Sequence, residues 1–244
     1  MQVLFGVDVG GSGVKGAPVD LADGRLTGER VRIATPRPAT PDAVYDTIEQ
    51  VLEAHGWHGD VGVAVPAVVV DGVARTAANI DPSWVDTKVR DELERRIGAR
   101  VAVLNDADAA GLAEVRYGAG RGVSGVVILL TFGTGVGSAV FVDGTLVPNV
   151  ELGHMEFDGD IAEATTAARL VEDGGLSLKR WGRQVNRLLL RIHRVFTPRR
   201  IIIGGGISKR FGDFSGFFDV DCEVVAAELR NNAGIVGAAA AVAP

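Results

Sequence analysis

Two glycine-rich bends, each set between apolar strands, constrain this chain more than any other feature. Residues 5–20 and 128–143 share one plan at an offset of 123, with Gly10 falling on Gly133, Val19 on Val142 and Asp20 on Asp143, three identities in 16 positions. The first unit reads as a strand over Val3–Asp8, a turn at Gly10-Gly11-Ser12-Gly13 and a second strand over Val14–Val19. The second reads as strands over Val126–Phe132 and Val136–Val142 joined by Gly133-Thr134-Gly135. Such a repeat predicts two lobes built alike, each aiming a glycine turn into a shared cleft. A bend without side chains lets backbone N–H groups reach an anion, so the pair reads as a phosphate clamp with Asp8 just before the first bend.

With 244 residues, 47% hydrophobic and 23% charged, the chain can bury a sizeable core, as one large domain or as two modest lobes sharing a cleft. No run approaches 18 apolar residues and Met1 leads directly into Val3-Leu4-Phe5, so a cytoplasmic protein without a membrane partner is expected. The single cysteine, Cys222, excludes an internal disulfide and a multi-cysteine zinc site. Net charge is −6, which argues against general binding of polyanions, yet the charge is unevenly spread. Lys179–Arg200 holds eight basic residues and no acidic one, leaving −14 on the remainder. Arg180, Arg183, Arg187, Arg191 and Arg194 recur at helical spacing, while Trp181, Val185, Leu188, Leu189, Ile192 and Val195 fall on the opposite face. The helix should dock through the apolar set and present the arginines. A solvated face usually interleaves signs, and an extended polyanion is the partner a stripe of one sign would suit.

Between the bends, the apolar run Val101–Leu104 stops at Asn105-Asp106 before an alanine-rich segment. A carboxylate held where a strand ends lies on the rim where ligands of α/β proteins bind. The same residue types also cap helices; Asn105 or Asp108 could serve the helix and leave Asp106 for substrate. Glu151 and His154 stand at i, i+3 and could share one helical turn. That pair suits a structural role, a metal or a sugar whose hydroxyls bond to both, and no third residue with metal spacing follows. Gly204-Gly205-Gly206, after the strand Ile201–Ile203, is either a tight turn or a further phosphate contact.

Asp8-Val9-Gly10-Gly11-Ser12-Gly13-Val14-Lys15-Gly16, Leu104-Asn105-Asp106-Ala107-Asp108-Ala109, Leu130 to Gly137, Glu151-Leu152-Gly153-His154 and Gly204 to Ser208 together resemble the ROK (repressor, open reading frame, kinase) sugar kinases. Arg75-Thr76-Ala77-Ala78-Asn79, the stretch Asn105–Gly120 and Leu229–Gly237 are similar to the polyphosphate glucokinase branch. The resemblance implies an α/β chain of the actin-like ATPase (ribonuclease H-like) fold, with two lobes around a central cleft. Residues 1–104 would form one lobe and 105–244 the other, the C-terminal helix packing back on the first. It also implies transfer of a phosphoryl group to the 6-hydroxyl of glucose, with Asp106 as base and Asn79, Asn105, Glu151, His154 and Glu156 around the sugar. Asp8 would hold Mg²⁺, directly or through water. Gly10, Gly11, Ser12, Lys15, Thr131, Gly133, Thr134, Gly135, Gly204 and Gly205 would meet phosphates. The implied donor is polyphosphate, ATP or both, and the implied assembly a homodimer. Many relatives carry a cysteine-rich zinc motif after Glu-x-Gly-His; no cysteine follows Met155 until Cys222, so no zinc is expected. Ala67 replaces the glycine usual after Pro66. Regulators of the same fold carry an N-terminal DNA-binding helix-turn-helix, whereas this sequence starts in its first strand, so a nucleic-acid partner is not expected.

Overall fold

The computed structural model describes residues 2–77 and 80–243. Asn79, expected beside the sugar, lies outside the described residues. The chain divides into two compact units, Met1–Ala113 with Asn232–Pro244, and Glu114–Asn231.

The first unit contains β1 (Val3–Gly10), β2 (Gly13–Asp20), β3 (Arg25–Leu26), β4 (Val31–Ile33), α1 (Pro41–Glu53), β5 (Val61–Val65), β6 (Val69–Val70), β7 (Val73–Ala74), α2 (Val89–Ile97) and β8 (Val101–Asn105). Its sheet has the order β3-β2-β1-β5-β8, with β4 also on β2; β1, β5 and β8 run parallel and β2 antiparallel to β1. All five residues of β5 are buried, as expected of an apolar run in a sheet covered on both faces. α3 (Asp106–Tyr117) then carries the chain into the second unit.

The second unit contains β9 (Val126–Phe132), β10 (Val136–Val142), β11 (Thr145–Val147), the small hairpin β12 (Glu156–Phe157) and β13 (Asp160–Ile161), α4 (Ala162–Thr166), α5 (Arg169–Glu172), α6 (Leu178–Phe196), β14 (Arg200–Gly204), α7 (Phe211–Phe214) and β15 (Glu223–Ala226). α8 (Ala233–Ala241) returns to the first unit. The second sheet has the order β11-β10-β9-β14-β15, the same plan as the first: an antiparallel hairpin followed by parallel strands. The repeat is therefore one of topology. Its sequence register is not uniform, because Leu4 pairs with Val19 while Val127, its equivalent, pairs with Phe141. The matches of Val19 with Val142 and Asp20 with Asp143 are displaced by one residue and carry no structural meaning. The cause is the bend: two residues close the first hairpin and three close the second.

The boundary expected after residue 104 lies later, inside α3. Asn105 still pairs with Val65 in the β5–β8 ladder, which keeps it with the first unit. α8 belongs there too, and it docks backbone to backbone. A Cβ on Gly6 would stand 1.9 Å from the Ile235 carbonyl oxygen, one on Gly62 1.7 Å from that of Ala238, and one on Gly237 1.7 Å from that of Ala109. A helix of alanine and glycine, apolar on all sides, is buried here because small residues permit that approach.

α6 shows the expected two faces. Trp181, Gly182, Val185, Leu188, Leu189 and Ile192 are buried against Phe132, Phe214 and their neighbours. Val195 departs from the expectation at 65% exposed: it lies in the last turn, just before Thr197 ends the helix in a left-handed conformation. Arg199 and Arg200 lie beyond that end, and Arg200 is tied to Glu223 at 2.6 Å. Among the described residues no helix is long and apolar enough to cross a membrane.

Candidate active site

In the first unit the bend between β1 and β2 is Gly11-Ser12, closed by the pair Gly10 and Gly13. Lys15 stands opposite Asp8 and its ammonium meets Asp8 Oδ2 at 3.3 Å, with Asp8 16% exposed. Gly234 at the start of α8 makes room for this carboxylate, since a Cβ there would stand 2.8 Å from Asp8 Cγ. The bend is braced from β4 and the residues just after it: Arg32 donates to the carbonyl and the hydroxyl of Ser12, and Thr35 Oγ1 donates to the Gly10 carbonyl. A cavity of about 110 Å³ lies beside the bend, lined by Gly10, Gly11, Thr35, Arg37, Pro66 and Ile80 among others.

At the end of β8 the cap and the carboxylate are separated. Asn105 Oδ1 accepts from the backbone N–H groups of Ala107 (2.8 Å) and Asp108 (3.2 Å), and its amide donates to the Ala67 carbonyl at 3.2 Å. Asn105, 7% exposed, is thus the helix cap and ties β8 to the loop after β5. Asp106 accepts from Ala107 N–H at 2.8 Å through Oδ1 and is only partly buried. Asn105 serves the fold, and a neighbouring acid is left half accessible where the strand ends.

The second unit fastens its predicted residues to one another. Leu152–His154 forms a single 3₁₀ turn with Glu151 at its start, so Glu151 and His154 do share a turn. That turn is pressed onto β10: a Cβ on Gly153 would stand 2.1 Å from the Val136 carbonyl oxygen. Ser138 Oγ donates to the Val150 carbonyl and accepts from Leu152 N–H. Glu163 Oε2 accepts from Val136 N–H at 3.0 Å and lies 2.3 Å from where a Gly135 Cβ would be. Glu163 was not anticipated from sequence, yet it holds the end of the Gly133–Gly135 bend by taking the Val136 N–H. Burial pushes the Glu151 carboxyl above the ordinary glutamate range; His154 opposes the shift and the Glu163 charge adds to it. His154 and Glu156 are exposed. Thr131, expected at a phosphate, pairs with Gly137 on β10, so this bend has no counterpart to the Asp8 and Lys15 pair.

A model of the ROK family matches residues 4–175. The chain belongs to the ROK family. It is 50% identical over 238 residues to the polyphosphate glucokinase of Mycobacterium tuberculosis, covering 97% of this chain and 90% of that protein. Among solved structures it is similar to an inorganic polyphosphate/ATP-glucomannokinase from Arthrobacter sp. strain KM, at 45% identity, TM-score 0.94 and coverage of 99% and 98% of the two chains. It is also similar to a ROK family glucokinase from Streptomyces griseus in complex with glucose and AMPPNP, at 25% identity, TM-score 0.82 and 98% of each chain. The architecture is accordingly that of the actin-like ATPases.

In this ROK family chain the glycine run after β14 is first of all a turn. Gly205 has φ +81° and a Cβ there would stand 2.1 Å from the Phe132 carbonyl oxygen, so both conformation and contact require glycine. Ser208 Oγ and N–H both donate to the Gly205 carbonyl, and Gly204 pairs with Thr131. All five stripe arginines of α6 are exposed. Arg187 is held by Asp158 at 2.7 Å and lies over the Phe157 ring, and Arg183 lies over the Phe217 ring. Arg180, Arg191 and Arg194 have no ionic partner among the described residues. A further arginine stands near the second bend: the backbone N–H of exposed Arg169 donates to the Gly133 carbonyl at 3.1 Å. Only the fold brings it there, from 36 positions further along the chain.

Proposed function

We propose that this protein is a polyphosphate-dependent glucokinase that also accepts ATP, transferring a terminal phosphoryl group to the 6-hydroxyl of glucose. The observation that carries this reading is the match along 97% of the chain to a relative named for that activity. Asp106 is the base: its carboxylate takes the proton of the 6-hydroxyl as that oxygen bonds to the terminal phosphorus. The bridging P–O bond breaks, and the donor leaves one phosphate shorter. Glu151 and His154 accept and donate hydrogen bonds to sugar hydroxyls, with Glu163 behind them, and Glu156 extends the set. Asn79 joins them. Asn105 acts on the sugar indirectly, by fixing the first turn of α3.

The first bend, with Gly10, Gly11, Ser12 and Lys15, receives donor phosphates, and Thr134 and Gly135 of the second bend contribute to the same task. Gly204 and Gly205 shape the turn that an ATP donor would meet. Asp8 fits a Mg²⁺ that arrives with phosphate: it is a single, partly exposed carboxylate, and among the described residues no three His, Cys, Asp or Glu side chains form a metal set. Mg²⁺ commonly takes one or two carboxylates and completes its shell with phosphate and water. When bound, it would neutralise charge on the phosphates being separated. We further read the enzyme as a cytoplasmic homodimer.

Comparing kcat/KM for polyphosphate and for ATP, with glucose as acceptor, tests the assignment, and a strong preference for ATP would sink it. The α6 stripe makes a narrower claim. Arg191→Glu with Arg194→Glu should raise KM for long-chain polyphosphate at least tenfold, on the order expected for two lost charged contacts, and leave KM for ATP within about twofold. Equal losses for both donors would remove the stripe from the polyphosphate path.

Glu151 sets a pH dependence. Its carboxylate must be ionised to accept from two hydroxyls, and its pKa is raised by burial. KM for glucose should therefore begin to rise at a higher pH, on acidification, than an ordinary glutamate would cause. Glu151→Gln should flatten that limb, which initial rates across the acid range would reveal. For stability the sign is opposite: a raised acid pKa favours the folded state below the unfolded pKa, and that contribution is lost as pH climbs through the folded one.

A further inference from the structure

A row of charges beside the first glycine bend carries one more assignment, which rests on the phosphotransferase reading. Asp8, Lys15 and Arg32 occupy paired positions on β1, β2 and β4. Directly paired residues project to the same face of a sheet, so the three side chains form one row. Asp8 is engaged by Lys15 at 3.3 Å. Arg32 has no carboxylate partner among the described residues; its guanidinium donates only to the carbonyl and hydroxyl of Ser12, both neutral. The row therefore holds one negative and two positive groups, and like charges directly opposite on a ladder repel.

The local structure nevertheless makes room for this cation. A Cβ on Gly13 would stand 2.6 Å from Arg32 Nε and 2.8 Å from Cζ, so the guanidinium lies across Gly13 in space that a side chain there would fill. The corresponding pair of the second sheet, Thr131 and Gly137, carries no charge. An exposed cation is thus paired into the strand ladder beside the first bend, against backbone that is glycine on either side of Ser12. A planar guanidinium presents donors in a fork that matches the oxygens of a phosphoryl group.

We propose that Arg32 is a donor-binding residue: with Lys15 it brackets the phosphoanhydride chain over Gly11-Ser12, and the missing negative charge of the row is supplied by the donor. The ligand class is a condensed phosphate, whether inorganic or carried on a nucleotide.

The test is titration calorimetry of inorganic tripolyphosphate and, separately, of ATP into the intact protein without glucose, for wild type, Arg32→Lys and Arg32→Gln. Glutamine removes the charge and, two bonds shorter, the donor that meets Ser12; lysine keeps the charge and loses the fork. Arg32→Gln should weaken tripolyphosphate binding about tenfold or more, and Arg32→Lys distinctly less, with KM for glucose unchanged in both. A parallel loss for ATP would extend the assignment to both donors, and a loss for tripolyphosphate alone would confine it to the inorganic one. The proposal fails if wild type does not bind tripolyphosphate, if Arg32→Gln binds like wild type, or if Arg32→Lys is hit as hard as Arg32→Gln, which would mark a brace for Ser12. Should wild type bind tripolyphosphate and transfer nothing to glucose, the kinase reading fails and this assignment stands.

Discussion

Asp106→Asn is expected to lower kcat by about two to four orders of magnitude, the range that a positioned general base contributes. The substitution is informative because asparagine keeps the size and shape of the side chain and removes its charge. Asp106 Oδ1 accepts from Ala107 N–H, and an asparagine oxygen can keep that bond. The cap of α3 belongs to Asn105, which remains. KM for glucose should move no more than severalfold, and the melting temperature should stay close to that of wild type. Single-turnover phosphate transfer with saturating donor and glucose separates loss of chemistry from loss of binding. Near-normal turnover would remove Asp106 from the mechanism.

Glu114→Ala should produce the largest loss of stability. Glu114, in α3, is fully buried, and its carboxylate collects three backbone N–H groups: Leu229 (2.8 Å) on Oε1, and Ala119 (2.9 Å) and Glu228 (3.1 Å) on Oε2. Hydrogen bonds to a charged group contribute about 1.5–3 kcal/mol each, and each donor orphaned in a dry site adds a further penalty. Relief of the carboxylate's own desolvation offsets part of that sum, leaving a net cost of about 3 kcal/mol. For a chain of this size the melting temperature should drop by roughly 6–12 °C, measurable by calorimetry. Glu114→Gln should not rescue it, because an amide NH₂ would face at least one of the three donors. Rescue by glutamine would show that side-chain volume, not acceptor count, is what the site needs. The sequence offers no sign of this role: an acid in a helix of mixed composition reads as a solvated position until the loop before α8 folds over it.

The elements that sequence made legible are those whose period or punctuation is strong. β9 and β10 follow the expected bounds, Val126–Phe132 and Val136–Val142, because an apolar run of seven residues broken by glycine has few alternatives. α6 was legible for the same reason at a period of 3.6. β4 and β15 were not. Each is an edge segment of three or four residues with charge at or beside it, Val31–Ile33 and Glu223–Ala226, and such strands form because a neighbour offers a ladder. Missing β4 meant missing Arg32. Glu163 was missed for a different reason: it sits in the first turn of an unremarkable short helix, and its contact with Val136 spans 27 residues, a distance over which composition carries no signal.

By itself the sequence determined the doubled plan, the residue types at each bend, the acid at the end of β8, the Glu151 to His154 turn and the arginine face of α6. Local backbone chemistry dictates these: glycine where the chain must reverse tightly, alternation where one face is buried, a polar residue where a strand stops. The tertiary structure alone decided how the polar groups are spent. It gave the cap to Asn105 and left Asp106 partly accessible, bound the Val136 N–H just after the second bend to Glu163, tied Arg187 to Asp158, and laid Arg32 across Gly13. Those assignments depend on which side chains meet across distant segments, and a carboxylate or guanidinium has the same letter in the sequence whether it serves the fold or faces a substrate.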